Sequence, residues 1–317
     1  MCLIALALDH DRRFPLVVAA NRDEYFERPA QRLAWWTPEG GGPAVLSGRD
    51  LRSGGTWMGL SAEGRLAMVT NVRQGRPAPD PAAPSRGQIP LRWLKGDLRA
   101  DQFWPGVALG GHEPFNLIAA DFRAGECFWA TSERACPLRL ERGLFGLSNG
   151  ALDDPWPKSE RLKAHLGAAL GAADSSDQLA SMLFAALAER EPAPDDQLPA
   201  TGVSREVERM LSSAFIRSPD GRYGTRVSTV LVAERVGKRL VTQVFERTFT
   251  AGPGVALLRR SMLKDWPPKY LLDDGEDTRH QVEVGPVDEG SLAETLELPA
   301  PSPRKRRVRS LLRPADR

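Results

Sequence analysis

An apolar, strand-like run begins at the second residue of this chain, Met1-Cys2-Leu3-Ile4-Ala5-Leu6-Ala7-Leu8. The run Cys2–Leu8 reads as a strand, with a thiol at its first position. The small side chain of Cys2 permits trimming of an initiator Met1, after which one residue would carry both a thiol and an α-amine. The reference pKa values are about 7.7–8.0 for the amine and about 8.5 for the thiol, so either group can exchange a proton near neutrality. This is the arrangement in which a nucleophile brings its own base. The plain alternative is that Cys2 packs as a small hydrophobe. No basic region precedes the run, so no secretory signal is read here; cleavage of one would remove Cys2.

The rest of the chain decides what such a strand joins. Phe14–Ala20 reads as a second strand across the turn at Asp9–Arg13. Val45–Ser47 is short and strand-like, and Thr56–Leu60 pairs with Arg65–Val72 across a turn containing Gly64. Pro77–Ser85, rich in Pro, Ala and Asp, reads as a loop in the position of a lid. A helix is predicted over 88–99, then strands at Phe115–Asp121 and Cys127–Thr131. Apolar spacing predicts helices over Lys158–Leu170, Asp177–Arg190 and Ser204–Ile216. Strands resume at Ser228–Val236 and Leu240–Phe249. Hairpins, then helices, then hairpins lack the strand–helix alternation of a doubly wound parallel sheet, and antiparallel sheets covered by helices fit better. The first strand is expected to lie centrally in its sheet.

Composition narrows the function classes. The chain has 317 residues, 41% hydrophobic and 26% charged, with a net charge of +2. No stretch approaches a membrane span, so no transmembrane segment is expected. The only cysteines are Cys2, Cys127 and Cys136. These are too few for a disulfide scaffold and point to a reducing, cytoplasmic setting. Cys127 and Cys136 could pair across a hairpin, but a reducing setting is the simpler context. His10, His112, His165 and His280 show no ligand spacing, so no metal site is read. The tail from Pro301 carries seven Lys and Arg against Asp316, a net +6, which leaves −4 for everything before it. Specific nucleic-acid binding is therefore not expected of the folded part. The expected organisation is a domain over 1–265, an acidic peripheral segment over 266–300 and a disordered basic tail over 301–317. Nothing in the sequence sets an oligomeric state.

Polar residues at strand ends supply the candidate chemistry. Asn21-Arg22-Asp23-Glu24 follows an apolar run; as a bland turn, it would pair Arg22 with Asp23 or Glu24. Gly54-Gly55-Thr56-Trp57-Met58-Gly59 permits tight turning or close approach of a ligand, but it lacks the lysine and spacing of a phosphate loop. Thr70-Asn71 and Leu147-Ser148-Asn149-Gly150 offer neutral amides that can donate to an oxyanion or stabilise turns. Tyr223-Gly224-Thr225-Arg226 leads into a late strand. Trp35, Trp36, Trp57, Trp93 and Trp156 either pack in the core or line an apolar pocket.

In this order, the Met1-Cys2 opening, Ala19-Ala20-Asn21-Arg22-Asp23-Glu24 with Arg28-Pro29, Gly54–Gly59, Ala67–Asn71, Phe115–Asp121, Gly146–Asn149 and Tyr223–Arg226 resemble the NRDE family, also called the transport and Golgi organisation family. The resemblance covers roughly 1–250. It implies an α+β fold of four αββα layers like that of the N-terminal nucleophile hydrolases, and a more distant similarity to the choloylglycine hydrolase and penicillin V acylase group. By that likeness Cys2 would be the nucleophile and its amine the base. Asn71 would bind the oxyanion and Asn149 would be the second amide. Arg226 would be the late arginine, with Arg22 and Asp23 near the early arginine and aspartate. Here the order is Asn-Arg-Asp, which departs from the acylases' Arg-Asn-x-Asp.

The implied activity is hydrolysis of a non-peptide carbon–nitrogen (amide) bond in a small-molecule substrate, without a cofactor. The alternative is a non-enzymatic haem- or lipid-related binding or trafficking protein on the same fold, with haem as the transported ligand. Fold likeness does not choose between them.

Overall fold

β1 (Leu3–Leu8) is buried at all six positions. Ile4, Leu6 and Leu8 face one apolar cluster, and Leu3, Ala5 and Ala7 face another. Successive side chains alternate across a strand, so a strand covered on both faces must be apolar throughout. That is why the opening run shows no polar alternation. β1 is also paired on both edges, to β2 (Leu16–Tyr25) on one side and to the strand ending at Leu147 on the other.

The architecture is that of a computed structural model, which describes residues 3–73, 80–252 and 256–268. After β2 come β3 (Ala30–Trp36), β4 (Val45–Asp50), β5 (Met58–Ser61) and β6 (Arg65–Asn71), then the helices α1 (Gln88–Lys95) and α2 (Ala100–Ala108). β7 (Phe115–Asp121), β8 (Glu126–Thr131), β9 (Leu138–Arg139) and β10 (Gly143–Leu147) follow, then α3 (Pro157–Ala172), α4 (Ser176–Leu187) and α5 (Arg205–Met210). β11 (Tyr223–Val236), β12 (Arg239–Thr248) and β13 (Leu257–Lys264) complete the described elements. One sheet has the order β10-β1-β2-β11-β12-β13 and the other β3-β4-β5-β6-β7-β8-β9, with every pairing antiparallel.

Three apolar clusters fix the layering. The first lies between the sheets and includes Ile4, Val18, Leu46, Met68, Ile118 and Leu231. The second joins the first sheet to α3 and α4 through Leu162, Leu166, Leu179 and Leu183. The third joins the second sheet to α1 and α2 through Ile89, Trp93, Leu94 and Phe103. Three interfaces make four layers, and the expected αββα arrangement is the one the structure has. β1 lies inside its sheet, one strand from the β10 edge.

Several elements differ from their sequence reading. The helix expected over 88–99 ends at Lys95, and α2 is a separate helix that tolerates Pro105 near its end. The helix expected over 204–216 stops at Met210. Ala214 and Phe215 are buried instead by irregular backbone, with the Phe215 N–H donating to Glu189 O at 2.7 Å. Cys127 is buried and Cys136 exposed, and both are free thiols. From Asp80 the expected loop is tied down, by Asp80 N–H to Glu113 at 2.8 Å and by Arg86 to Pro114 O at 3.1 Å. Its first residues, 77–79, lie outside the described residues, as do the expected acidic segment from 269 onward and the basic tail. Trp266, one residue past the expected domain boundary, is buried between the sheets and donates Nε1–H to Ser61 O at 2.9 Å. Among the described residues no helix is long and apolar enough to cross a membrane.

The expected reading missed β3 because a bulge breaks its alternation. The register against β4 shifts between Gln31 and Ala34, which sets Arg32 and Leu33 against Gly48 alone. The freed Leu33 backbone is satisfied from the other sheet. Its N–H donates to Glu246 Oε1 at 2.7 Å, and its C=O accepts from Arg259 Nη1 at 2.8 Å. Burial pushes the Glu246 carboxyl above its ordinary pKa, although the Leu33 N–H, Arg32, Thr248 and Arg259 pull the other way. A carboxyl with a raised folded-state pKa contributes stability below its unfolded pKa, and that contribution is lost as pH rises through the folded value. Gln at 246 keeps an acceptor for Leu33 without ionising. Glu246→Gln is therefore expected to raise the melting temperature increasingly from pH 4 to pH 8, read by thermal denaturation of both proteins across that range.

Candidate functional site

Both neighbours of β1 run on into polar residues at its amino end. Leu3 stands opposite Asn21, and β2 continues through Arg22, Asp23 and Glu24. Ile4 stands opposite Leu147, and the chain continues through Ser148 and Asn149. β11 borders β2 on its other side, with Thr225 opposite Asp23 and Val227 opposite Arg22. Arg226 is the extra residue in that register shift, a second bulge that turns one side chain out of step. The sheets are also tied together here. Thr70 Oγ1 donates to Ser148 O at 2.7 Å, Asn149 Nδ2 to Asn71 O at 2.9 Å, and Arg73 N–H to Asn149 O at 2.7 Å. Cys2, the expected nucleophile, lies outside the described residues.

The faces of β2 divide the labour. Asn21 donates both amide hydrogens outward, to Leu187 O at 2.9 Å and Ala214 O at 2.8 Å, and accepts from Ser228 Oγ at 2.6 Å. It anchors the end of α4 to the sheet. Asp23 Oδ1 accepts from Thr225 Oγ1 at 2.7 Å, and Thr225 Oγ1 in turn accepts the Ile216 N–H. Arg22 points the opposite way, between the sheets, and is only 4% exposed. Its guanidinium stacks 4.3 Å from the Trp57 ring centroid. Nη2 lies 3.3 Å from Asp50 Oδ2 and 3.5 Å from Glu24 Oε2. Burial draws the Arg22 pKa down, and Glu24 and Asp50 oppose that shift.

Asp50 was not among the residues expected from sequence, yet it holds this cluster together. Oδ1 accepts the N–H groups of Arg52 and Ser53, each at 3.0 Å, and Oδ2 meets Arg28 Nε at 2.5 Å. Burial pushes the Asp50 carboxyl up, but the Arg28 and Ser53 hydrogen bonds and the charges of Arg28 and Arg22 hold it below the usual carboxylate range. The sequence signal was an Asp three residues before Ser53 in a Gly-rich turn, the pattern of a side chain closing its own turn. Arg22 pairs with Glu24, one of the two partners the bland reading offered, and with Asp50.

The glycine-rich motif proves structural. Gly54, at φ +71°, makes the turn between β4 and β5. A Cβ at Gly55 would overlap the Gly87 carbonyl, so the close approach is by the chain's own backbone. Thr56 Oγ1 donates to Gly48 O at 2.8 Å, and the Trp57 ring lies against Gly48, where a Cβ would collide with it. Trp57 and Trp93 are core residues, whereas Trp156 is half-buried with Arg73 over its ring at 4.8 Å.

The expected residues thus converge, with unequal freedom. Asn71 is exposed at the strand end, and its side chain makes no hydrogen bond among the described residues. Asn149 is buried and spends Nδ2 on the Asn71 carbonyl. Arg226 Nη1 donates to the carbonyls of Tyr25, at 3.1 Å, and Arg28. Sequence reasoning also passed over Asn116, which donates to Thr70 Oγ1 at 3.2 Å and Gly150 O at 2.8 Å and so holds both amide-bearing turns. Two clefts flank the cluster. One, of about 350 Å³, is lined by Glu24, Tyr25, Glu27, Arg28, Pro29 and Arg52. The other, of about 700 Å³, includes Val72, Arg73, Asn149, Asp154, Trp156 and Thr201. Of the described histidines, His112 meets Pro84 O and His165 meets Glu189, and among the described residues no His/Cys/Asp/Glu group could hold a metal ion.

A family model described as Transport and Golgi organisation 2 matches residues 1–251. The chain is 35% identical over 263 residues to the transport and Golgi organization protein 2 homolog of Bos taurus, covering 77% of this chain and 92% of that one. Its identity to the Homo sapiens homolog is 31% over 262 residues, with the same coverage. Among solved structures, a variant of the conjugated bile acid hydrolase from Clostridium perfringens aligns at 9% identity with a TM-score of 0.43, over 78% of this chain and 89% of that one.

The contact of Gly48 with Trp57 yields a direct test of the packing beneath Arg22. Gly48→Ala is expected to cost about 1–3 kcal/mol through overpacking. The loss would appear as a lower urea midpoint at unchanged slope, with altered tryptophan fluorescence of the folded protein.

Proposed function

We propose that this chain, which belongs to the Transport and Golgi organisation 2 family, is a cysteine amidohydrolase whose nucleophile is Cys2. The observation that carries the reading is the convergence of Arg22, Asp23, Asn71, Asn149 and Arg226 around the amino end of β1. In sequence, Cys2 directly precedes Leu3, the first residue of that strand.

The proposed chemistry begins with transfer of the Cys2 thiol proton to the chain's own α-amine. The sulfur then attacks the substrate's amide carbonyl, forming a C–S bond and placing charge on the oxygen. Asn71 Nδ2 donates to that oxyanion. Asn149 acts behind it, holding the Asn71 backbone. The α-ammonium returns its proton to the leaving nitrogen as the C–N bond breaks. Water then cleaves the thioester, releasing a carboxylic acid and restoring the thiol. Asp23, braced by Thr225, would orient the α-amine. Arg226, bonded to the Tyr25 and Arg28 carbonyls, would stiffen the turn after β2.

The relatives' names refer to transport and Golgi organisation, and a carrier that binds without turnover would explain them equally. The two readings separate on the N-terminus. A Cys136→Ser background removes the exposed thiol. Cys127 should stay silent, because burial pushes its pKa up to about 12. Intact mass with N-terminal fragmentation is expected to show loss of Met1 and selective labelling of Cys2 by an acylating probe. Turnover in an amide-substrate screen should vanish in Cys2→Ala and fall about 100-fold or more in Asn71→Ala. Retained Met1, or stoichiometric binding without product, would turn the assignment to a carrier.

A further inference from the structure

The carboxyl end of β1 lies away from the polar cluster, about 17 Å along the strand from Leu3 to Leu8. Leu8 there helps to line a cavity of about 460 Å³. Its walls are largely apolar, made by Leu8, Leu16, Phe122, Leu140, Leu240 and Pro267. The gap follows from where the chain enters and leaves the sheets. β2, β8 and β12 begin here, at Leu16, Glu126 and Arg239. The chain also leaves the second sheet after Arg139 and joins the first at Gly143, so Leu140 to Arg142 cross between them. The neighbouring part of the same gap is filled. Trp266 is fully buried there, edge-on to Phe122 with ring centroids 5.6 Å apart, and its N–H is paired with Ser61 O. This end of the sandwich therefore already accommodates one inserted apolar group. A cavity of this size, with apolar walls and a few polar groups at its mouth, has the form of a small-molecule site.

The mouth is cationic. Arg139, Arg142 and Arg235 line it, each bonded to a main-chain carbonyl, Gly125 O at 3.3 Å, His10 O at 3.5 Å and Arg12 O at 3.3 Å. None of the three makes an ion pair among the described residues. Nearby carboxylates are engaged elsewhere. Glu126 pairs with Arg99 at 3.0 Å, Glu234 with Arg13 at 2.9 Å and Asp121 with Arg65 at 2.9 Å. Asp9 and Glu141 remain on the rim, against the three arginines and against Lys238 and Arg239 on the turn that follows Arg235. We propose that this cavity binds an amphipathic organic carboxylate, with its hydrocarbon body between the sheets and its anionic head on Arg139, Arg142 and Arg235. A guanidinium offers the planar fork of donors that suits a carboxylate, and the apolar walls take the part of the ligand that leaves water. The two features select together. A wholly polar anion would leave the walls uncovered, and a neutral hydrocarbon would leave the arginines unanswered. The site needs neither Cys2 nor turnover, so it goes beyond the amidohydrolase reading.

The test uses the full chain and two probes of equal length and opposite charge, dodecanoate and dodecyltrimethylammonium, each below its micelle concentration. Binding is read as displacement of the fluorescent probe anilinonaphthalene sulfonate. Dodecanoate is expected to displace it from a single saturable site, and the ammonium to require about tenfold more. Combining Arg139→Ala, Arg142→Ala and Arg235→Ala should weaken dodecanoate about tenfold and erase its advantage over the ammonium. The place of binding is read separately on the unmodified sequence. A dodecanoate carrying a diazirine at its chain end is expected to label residues 122–127, 139–142 or 240. Leu140→Trp, with its fold confirmed by near-ultraviolet circular dichroism, fills the cavity and should abolish both displacement and labelling. If that variant does not fold, the arginine variant and the labelling of the unmodified sequence still decide. No saturable displacement, equal affinity for the two probes, or unchanged dodecanoate affinity in the arginine variant overturns the proposal. So does labelling confined to the other end of β1, beside Tyr25, Asn71 or Asn149.

Discussion

Burial of β1 on both faces is the constraint from which the arrangement follows. A strand with helices below and a second sheet above can carry no polar side chain without an internal partner. Its edges are closed as well, by β10 and β2. Polar groups can therefore gather only at its ends, on the residues where neighbouring strands run past the apolar layers. Arg22 and Asp23 on β2, and Ser148 and Asn149 after β10, are such residues. The polar cluster is thus a consequence of the layering.

Two bulges refine that placement. In β3 the extra residue turns the Leu33 backbone toward the other sheet, where Glu246 and Arg259 receive it and close the edge of the sandwich. In β11 the extra residue is Arg226, whose side chain reaches across to the carbonyls that follow β2. Strict alternation would have sent one of these groups into the core and the other away from the turn it braces. Bulges re-aim side chains at the cost of local pairing, and here the lost pairing is replaced by charged side chains from adjacent strands.

The fold was legible wherever burial was uniform. The double-faced run of β1, the hairpin at Gly64 and the helical spacing of α3 and α4 all follow from periodicity, and the order of hairpins and helices excluded a parallel sheet. What escaped was local chemistry that breaks the pattern. β3 is hidden by its bulge and α2 by Pro105. The 204–216 spacing mimics a helix face, yet Ala214 and Phe215 are buried by a backbone that leaves the helix at Met210. At the site, the converging residues were legible because they fall in an ordered motif set. Their division of labour was not. Nothing in the sequence distinguishes Asn149, committed to a backbone carbonyl, from Asn71, exposed beside it. Asp50 escaped because its importance lies in a contact with β2, which pattern along β4 cannot express.

Arg22 and Arg65 show two ways in which this fold accommodates a buried cation. Both side chains meet the same demand, that a buried cation be paired and its donors satisfied. The fold satisfies Arg65 completely, with one carboxylate and two carbonyls, and nothing further could be added there. Around Arg22 the ledger of charge is nearly closed by Asp50 and Glu24, but the ledger of hydrogen bonds is not. The remaining donor lies beside the strand end that Cys2 precedes, where the neighbouring backbone is already held by Asn21, Asn116 and Asn149.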